Sequence, residues 1–358
     1  MQTINIAKNM KKSLLFCIVC LCTSALLAEA PANYYAAAEG KTGEALRQAL
    51  YQIIKSHTNV GYDGLWNVYK TSDVTDDGKI WDMYSNCDFA VGKKCGSYKS
   101  VCDCYNREHS VPQSWFNEAS PMKADAFHVY PTDGKVNGQR SNYPFGECSS
   151  GTNLGGKALG RLGTSTFSGY SGKVFEPDDQ YKGDFARTYF YMATCYADKC
   201  SSWGNNTFGS NSGLTSYGVN LFMKWHRNDG VSLKETDRND AVYAKQKNRN
   251  PFIDHPELAE YIWGDKKGEA WYSTGTAIKH VAFQTLELYP NPAGNVVTVT
   301  SEADELRYTI ITLSGQALAQ GIVASGAGIA LDGLQNGIYM LRLEAEGKQQ
   351  VEKLIVNK

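Results

Sequence analysis

The sequence predicts an α+β protein, in which a mainly helical domain carrying one small β-β-α unit is followed by a small C-terminal β-sandwich. Three observations predict it. Apolar residues recur at helical spacing from residue 42 onward; short β-rich runs separated by Gly, Asn and Ser turns take over beyond Phe283; and between them a strand-loop-strand-helix pattern spans residues 107–142. At 358 residues the chain has room for two or three domains and a sizeable core.

The N-terminus reads as a removable segment, residues 1–30. Lys8, Lys11 and Lys12 form a positive region, and residues 14–27 form an apolar run of 14, too short and too weakly flanked for a membrane span. Ala28-Glu29-Ala30 then offers the small-x-small pattern of a signal cleavage site near Ala30. Cys17, Cys20 and Cys22 leave with that segment, and none follows the small residue that a lipid-acceptor cysteine requires. The mature chain is therefore expected to be exported, without an N-terminal lipid anchor, and divided into residues 31–283 and 284–358.

Seven cysteines remain: Cys87, Cys95, Cys102, Cys104, Cys148, Cys195 and Cys200. In an exported protein they read as disulfides, within the local cluster of Cys87, Cys95, Cys102 and Cys104 and between Cys195 and Cys200, with one thiol left over. The cluster lacks the paired Cys-x2-Cys knuckles of a structural zinc site. Formal net charge is -1, and residues 31–283 hold 28 Lys+Arg against 28 Asp+Glu. That balance argues mildly against a polyanionic partner and leaves room for local clustering of the basic residues.

Taken in order, residues 42–57 place Leu46, Ala49, Leu50, Ile53 and Ile54 on one helical face. Residues 71–79 carry Asp73, Asp76 and Asp77 but lack the central glycine and distal glutamate of a calcium loop, so they read as a solvated turn. Within residues 107–142 the pattern predicts a strand ending at Glu108-His109, a second strand near residues 126–130 and a helix from about Asp133. Residues 148–173, rich in Gly, Ser and Thr, read as a loop. Helices follow at residues 184–198, with Asp184 as N-cap and Phe185, Tyr189 and Met192 on one face, then at 217–227, 234–247 and 256–263, the last with proline in its first turn. Strands are predicted at 296–300, 306–313, 337–343 and 351–356, a cysteine-free module that reads as a β-sandwich.

One constellation carries chemistry. Glu108 and Asn137 supply two oxygens suited to a hard cation, and His109 supplies a base that acts on water near neutral pH. A Glu-His pair by itself also suits a surface carboxylate beside a packed histidine. Successive strand residues point to opposite faces, so the pair must sit at a strand end or a bulge. On the helix, Arg140 and Ser141 share a face with Asn137.

Longer motifs bear on that choice. Residues 107–115 (REHSVPQSW), 125–134 (DAFHVYPTDG) and 136–142 (VNGQRSN), continued by Phe175-Glu176-Pro177, residues 182–187 (KGDFAR) and residues 248–256 (NRNPFIDHP), resemble the bacterial endonuclease I family of secreted or periplasmic nucleases, in the His-Me finger (ββα-metal) group. The likeness covers roughly residues 42–265. Residues 288–293 (LYPNPA), Asn336-Gly337-Ile338-Tyr339 and Lys353-Leu354-Ile355-Val356 resemble the C-terminal sorting domain of type IX secretion.

These resemblances imply a metal-dependent endonuclease that hydrolyses DNA and RNA without sequence preference, leaving 5′-phosphate and 3′-hydroxyl ends. His109 would be the general base, and Glu108 and Asn137 the ligands of one Mg2+, with Mn2+ or Ca2+ as substitutes. The family's well-studied members also carry an arginine on the loop after the catalytic histidine. Here only Lys123 is basic between His109 and Asp125, so the phosphate-side role is open among Lys123, Arg140 and Arg187, with Arg187 expected to face the cleft. His128, oriented by Asp125, and Asn248 and Arg249 are further candidates for the substrate surface. The implied partners are nucleic acid and the type IX machinery, for a monomer released or displayed at the cell surface. A second class stays in view: a surface-displayed nucleic-acid-binding or adhesion protein on the same scaffold with weakened catalysis, which the neutral charge and absent loop arginine favour.

Overall fold

The computed structural model describes residues 30–209, 212–273, 283, 285–313, 316–345 and 348–358. All but the last residue of the leader read at residues 1–30 lies outside the described residues.

Helix α1 (Gly43–Ile54) buries Leu46, Leu50 and Ile54 as its spacing predicts, and α2 (Leu65–Ser72) packs Leu65, Val68 and Tyr69 into the same core. The turn that follows does not stay solvated. Asp73 is buried and accepts from Arg238 Nε at 2.8 Å, because a buried guanidinium needs a carboxylate partner. Strand β1 (Tyr105–His109) pairs antiparallel with β2 (Val129–Asp133), Glu108 opposite Tyr130 and His109 opposite Val129. Helix α3 (Gly134–Arg140) follows at once, with Asp133 as N-cap accepting from Val136 N at 2.9 Å. The β-β-α order is the predicted one, and the Glu-His pair stands at the strand end.

The region expected to be a loop, residues 148–173, contains β3 (Thr152–Asn153) and β4 (Arg161–Thr164), which form a three-stranded sheet with β5 (Lys173–Glu176) at its end. Helix α4 (Lys182–Cys195) is the centre of the domain. It is buried on nearly every side and packs against α1, α5 (Ser216–Asn228) and α7 (Pro251–Asp254). It starts two residues before the predicted cap, with Tyr181 in the cap position. Asp184 lies inside its first turn, where its carboxylate takes a bond from Lys234 Nζ at 2.8 Å. Helix α6 (Leu233–Gln246) opens on a capping box between Ser232 and Glu235. Asn250 caps α7, so α8 (Leu258–Ile262) begins later than the proline at 256 suggests. One buried cluster, dense in Phe, Tyr and Trp, unites these helices with β2.

Two disulfides, Cys87–Cys102 and Cys95–Cys104, brace the segment that delivers the chain to β1. The expected Cys195–Cys200 bond is absent. Both thiols are buried and free, as is Cys148, and Cys195 Sγ instead points to the Ile54 carbonyl at 3.5 Å. Cys195 ends α4 and Cys200 begins the next turn, where its Sγ faces the Ala193 carbonyl, so local backbone geometry takes the two sulfurs to different acceptors.

Beyond residue 283 a separate buried cluster holds two antiparallel sheets. The strands are β6 (Leu286–Tyr289), β7 (Val296–Ser301), β8 (Glu305–Ile311), β9 (Ala317–Ala324), β10 (Ala327–Ala330), β11 (Gly337–Ala345) and β12 (Lys348–Val356). They assemble as β10-β7-β6 and β12-β11-β8-β9. Strand β6 is too short to stand out from the sequence, and β9 and β10 were not anticipated because their Ala- and Gly-rich sequence shows little alternation. Among the described residues no helix is long and apolar enough to cross a membrane.

Candidate active site

The end of β1 and the body of α3 bring four of the expected residues together. Arg140, 1 % exposed, donates from Nη1 to Glu108 Oε1 at 2.8 Å and to the His109 carbonyl at 2.8 Å, and from Nη2 to the Ser110 carbonyl at 2.7 Å. Its two Nη atoms are thus committed to fixing the strand end, while the buried Nε has no partner among the described residues. Tyr84 adds a second donor to Glu108 Oε1, at 2.8 Å. Glu108 Oε2 has no protein partner among the described residues. Asn137 donates from Nδ2 to the Arg107 carbonyl at 3.1 Å, which sets the amide plane and leaves Oδ1 without a partner among those residues.

His109 is the last residue of β1, its ring 5.7 Å from that of Tyr62 in a stacked arrangement and 5.5 Å from that of His128. Its Nε2 lies 3.1 Å from the Lys123 carbonyl. A carbonyl only accepts, so Nε2 carries the proton and Nδ1 is the basic nitrogen. Burial, with His128 beside it, pushes the His109 imidazole down to about 3, so the ring is neutral at physiological pH. Burial pushes the Glu108 carboxyl up to about 7, against the pull of Arg140 and the Tyr84 hydroxyl. A cation at Oε2 would add the positive charge that this carboxylate needs to stay ionised. Two unused oxygens on adjacent elements, one from a carboxylate and one from an amide, fit a hard cation of the Mg2+ type.

Several expected residues stand elsewhere. Arg187 does not face a cleft: it is fully buried, with Nε at 2.5 Å from Glu235 Oε1, Nη2 at 2.8 Å from Glu235 Oε2 and Nη1 at 2.6 Å from the Asp229 carbonyl, tying α4 to the start of α6. Asn248 is buried and bridges the Ile54 carbonyl and the Tyr191 hydroxyl. Arg249, 3 % exposed, is clamped by Asp254 and Asp240. His128 is buried, its Nε2 at 2.6 Å from the Met122 carbonyl. Asp125 does not hydrogen-bond His128. Its oxygens receive Phe127 N, Gln246 Nε2 and the hydroxyls of Tyr191 and Tyr196. Burial overrides the substrate-facing expectation in each case, since a polar group taken from water must find partners within the fold. Lys123 is the exception. It stays on the rim, its ammonium 5.3 Å from the Tyr62 ring and paired with Glu118 at 2.6 Å.

Sequence reading missed Tyr62 and Tyr84. Both lie outside the contiguous motifs, and no spacing rule joins them to Glu108 or His109. It also passed over the Arg107 side chain, although the residue stands within the first motif.

A neutral histidine, a carboxylate and an amide oxygen thus stand on one β-β-α unit, and these are the group types that metal-assisted hydrolysis uses. The Endonuclease I family model matches residues 42–257, and the chain belongs to that metal-dependent nuclease family. A second model, the secretion system C-terminal sorting domain, matches residues 287–357, so the nuclease is routed to the outside of the cell or to its surface. The chain is similar to the extracellular ribonucleases of Bacillus amyloliquefaciens, with 37% identity over 239 residues, 64% of this chain and 78% of that one. It is likewise similar to that of Bacillus subtilis (strain 168), at 36% with the same coverage. It also resembles a periplasmic deoxyribonuclease of Aeromonas hydrophila, at 25% identity over 61% of this chain and 87% of that one.

Proposed function

We propose that this nuclease is an endonuclease cutting both DNA and RNA without sequence preference, with one Mg2+ held by Glu108 and Asn137 and with His109 as general base. The observation that carries the reading is that Glu108 Oε2, Asn137 Oδ1 and His109 Nδ1, all on β1 and α3, have no protein partner among the described residues while their neighbouring atoms are fixed. His109 takes a proton from water at Nδ1 and holds it while the Lys123 carbonyl keeps the ring in place. Arg140 and Tyr84 hold Glu108 so that one oxygen faces outward. The hydroxide so formed attacks phosphorus as the P–O3′ bond breaks and solvent protonates the departing oxygen, which gives 5′-phosphate and 3′-hydroxyl ends; a cation held by Glu108 and Asn137 would offset the charge that grows on the phosphate and on that oxygen. The relatives named for ribonuclease and for deoxyribonuclease activity support a substrate range that includes both polymers. The C-terminal pair of sheets we read as the β-sandwich sorting module.

The test is incubation of the purified, folded protein with plasmid and with RNA, with Mg2+ and with Mg2+ plus chelator. Cleavage abolished by chelator is expected. Intact polymers in every tube, or binding without cleavage that ignores chelator, would favour a nucleic-acid-binding protein on a nuclease scaffold.

A further inference from the structure

Beside His109 runs an alternation of cations and aromatic rings that the catalytic reading does not use. Lys94 Nζ stands 4.5 Å from the Trp66 ring; the Arg107 guanidinium stands 4.4 Å from Trp66 and 3.4 Å from Tyr62; Lys123 Nζ stands 5.3 Å from Tyr62, whose ring stacks on His109. Residues 107 and 109 share a face of β1 by strand alternation, so the row leads directly to the base. Neighbouring cations share a ring and therefore lie close enough for adjacent phosphates of one strand. The rings hold the cationic heads in place through their π faces and leave them partly stripped of water.

Arg107 shows an unmet requirement. Its side chain is 14% exposed, its Nη1 serves the Tyr62 carbonyl and Asp63 Oδ1, its buried Nε has no partner, and Nη2 has none among the described residues. The carboxylates that touch the row, Asp63 and Glu118, are 95% and 56% exposed, and such surface pairs are weak enough for a phosphate to displace. An overall balanced charge thus conceals a local basic row.

We propose that Lys94, Arg107 and Lys123, spaced by Trp66 and Tyr62, form a phosphate track that grips the nucleic-acid strand next to His109. The proposal deepens the nuclease reading and rests on it for the identity of the polymer. The track contacts phosphates and no base edges, so it supplies affinity and register without sequence preference.

The experiment is fluorescence anisotropy of a labelled duplex DNA oligonucleotide with the full mature chain in EDTA, across a salt series. Each phosphate contact contributes about 0.9 to the slope of log affinity against log salt. Lys94→Gln and Arg107→Gln are each expected to flatten the slope by about that amount, and Lys94→Arg to restore it. Lys94 is exposed, so its variants report even if Arg107→Gln unfolds. A wild-type slope in Lys94→Gln, with circular dichroism unchanged, overturns the track. Plasmid cleavage measured in parallel separates the two readings: binding with the expected slopes but no cleavage sinks the hydrolase and keeps the track, whereas cleavage with unaltered slopes does the reverse.

Discussion

Arg140 and Arg187 are the two arginines whose residue type suggests phosphate contact, and both are committed inside the fold. Removing Arg140 leaves Glu108 as a buried carboxylate with only the Tyr84 hydroxyl, and breaking such a pair costs about 3–5 kcal/mol. Arg140→Ala is therefore expected to lower stability in urea titration by that order and to lose activity with it. Arg187→Ala, which strands Glu235, is expected to destabilise by a similar order, while the activity per folded molecule stays near wild type. A large loss of turnover in a folded Arg187 variant would return that residue to the catalytic machinery. His109→Ala is expected to lose at least ~10^2-fold in rate with oligonucleotide binding retained, the usual scale for a general base. Unchanged turnover would remove His109 from that role. Glu108, His109 and Asn137 were legible in the sequence because they fall in short contiguous motifs. The ties of Arg140 to Glu108 and of Arg187 to Glu235 were not, since they join residues 32 and 48 positions apart by tertiary packing.

At the level of elements, the β-β-α unit is held from behind by the disulfide segment. Cys104 directly precedes β1, and Cys102 N donates to Asp133 Oδ2 at 2.6 Å while Asp133 Oδ1 caps α3. Tyr98, from the same segment, lies against α3 so closely that a Cβ at Gly134 would meet its ring at 2.5 Å. Reduction of Cys87–Cys102 releases a loop of sequence separation 15, and closure of a loop of that size is worth about 3 kcal/mol. Reduced protein is thus expected to unfold at lower denaturant and to lose cleavage before its helical circular dichroism. Equal midpoints with and without reductant would show that the segment does not support the site. The helices carry regular apolar periodicity and were readable from it. The sheet of β3, β4 and β5 was not, because its strands are two to four residues long, too short to show a period.

For the whole molecule, the nuclease unit and the C-terminal sheets each possess their own buried cluster. A chain ending at residue 283 is expected to keep the melting temperature of the nuclease unit; a fall of more than a few degrees would show that the sorting module supports it. Stability should also depend on pH through buried histidines. Burial pushes His128 and His226 each down to about 4, against about 6.5 in an unfolded chain. Between those values the unfolded state takes up protons that the folded state refuses. Stability from these groups is therefore present above about pH 6.5 and is lost as pH falls toward 4. The neutral His226 ring accepts from Arg187 Nη1 at 3.4 Å and donates to the Pro256 carbonyl at 3.0 Å. His226→Gln is expected to flatten the fall in melting temperature between pH 7 and 5. An unchanged profile would mean that other groups set it.

The sequence by itself determined the exported character of the chain, its likeness to the two families and the β-β-α order, and it singled out Glu108, His109 and Asn137 as the candidate base and oxygen ligands. Each is written in local pattern: an apolar run, a change of periodicity, a motif within a few dozen residues. Only the tertiary structure decided which charges stay in water. A buried guanidinium must take its partners from wherever the fold brings them, so Arg140, Arg187 and Arg249 turned inward to carboxylates, while Arg107, between Tyr62 and Trp66, kept an open edge toward solvent.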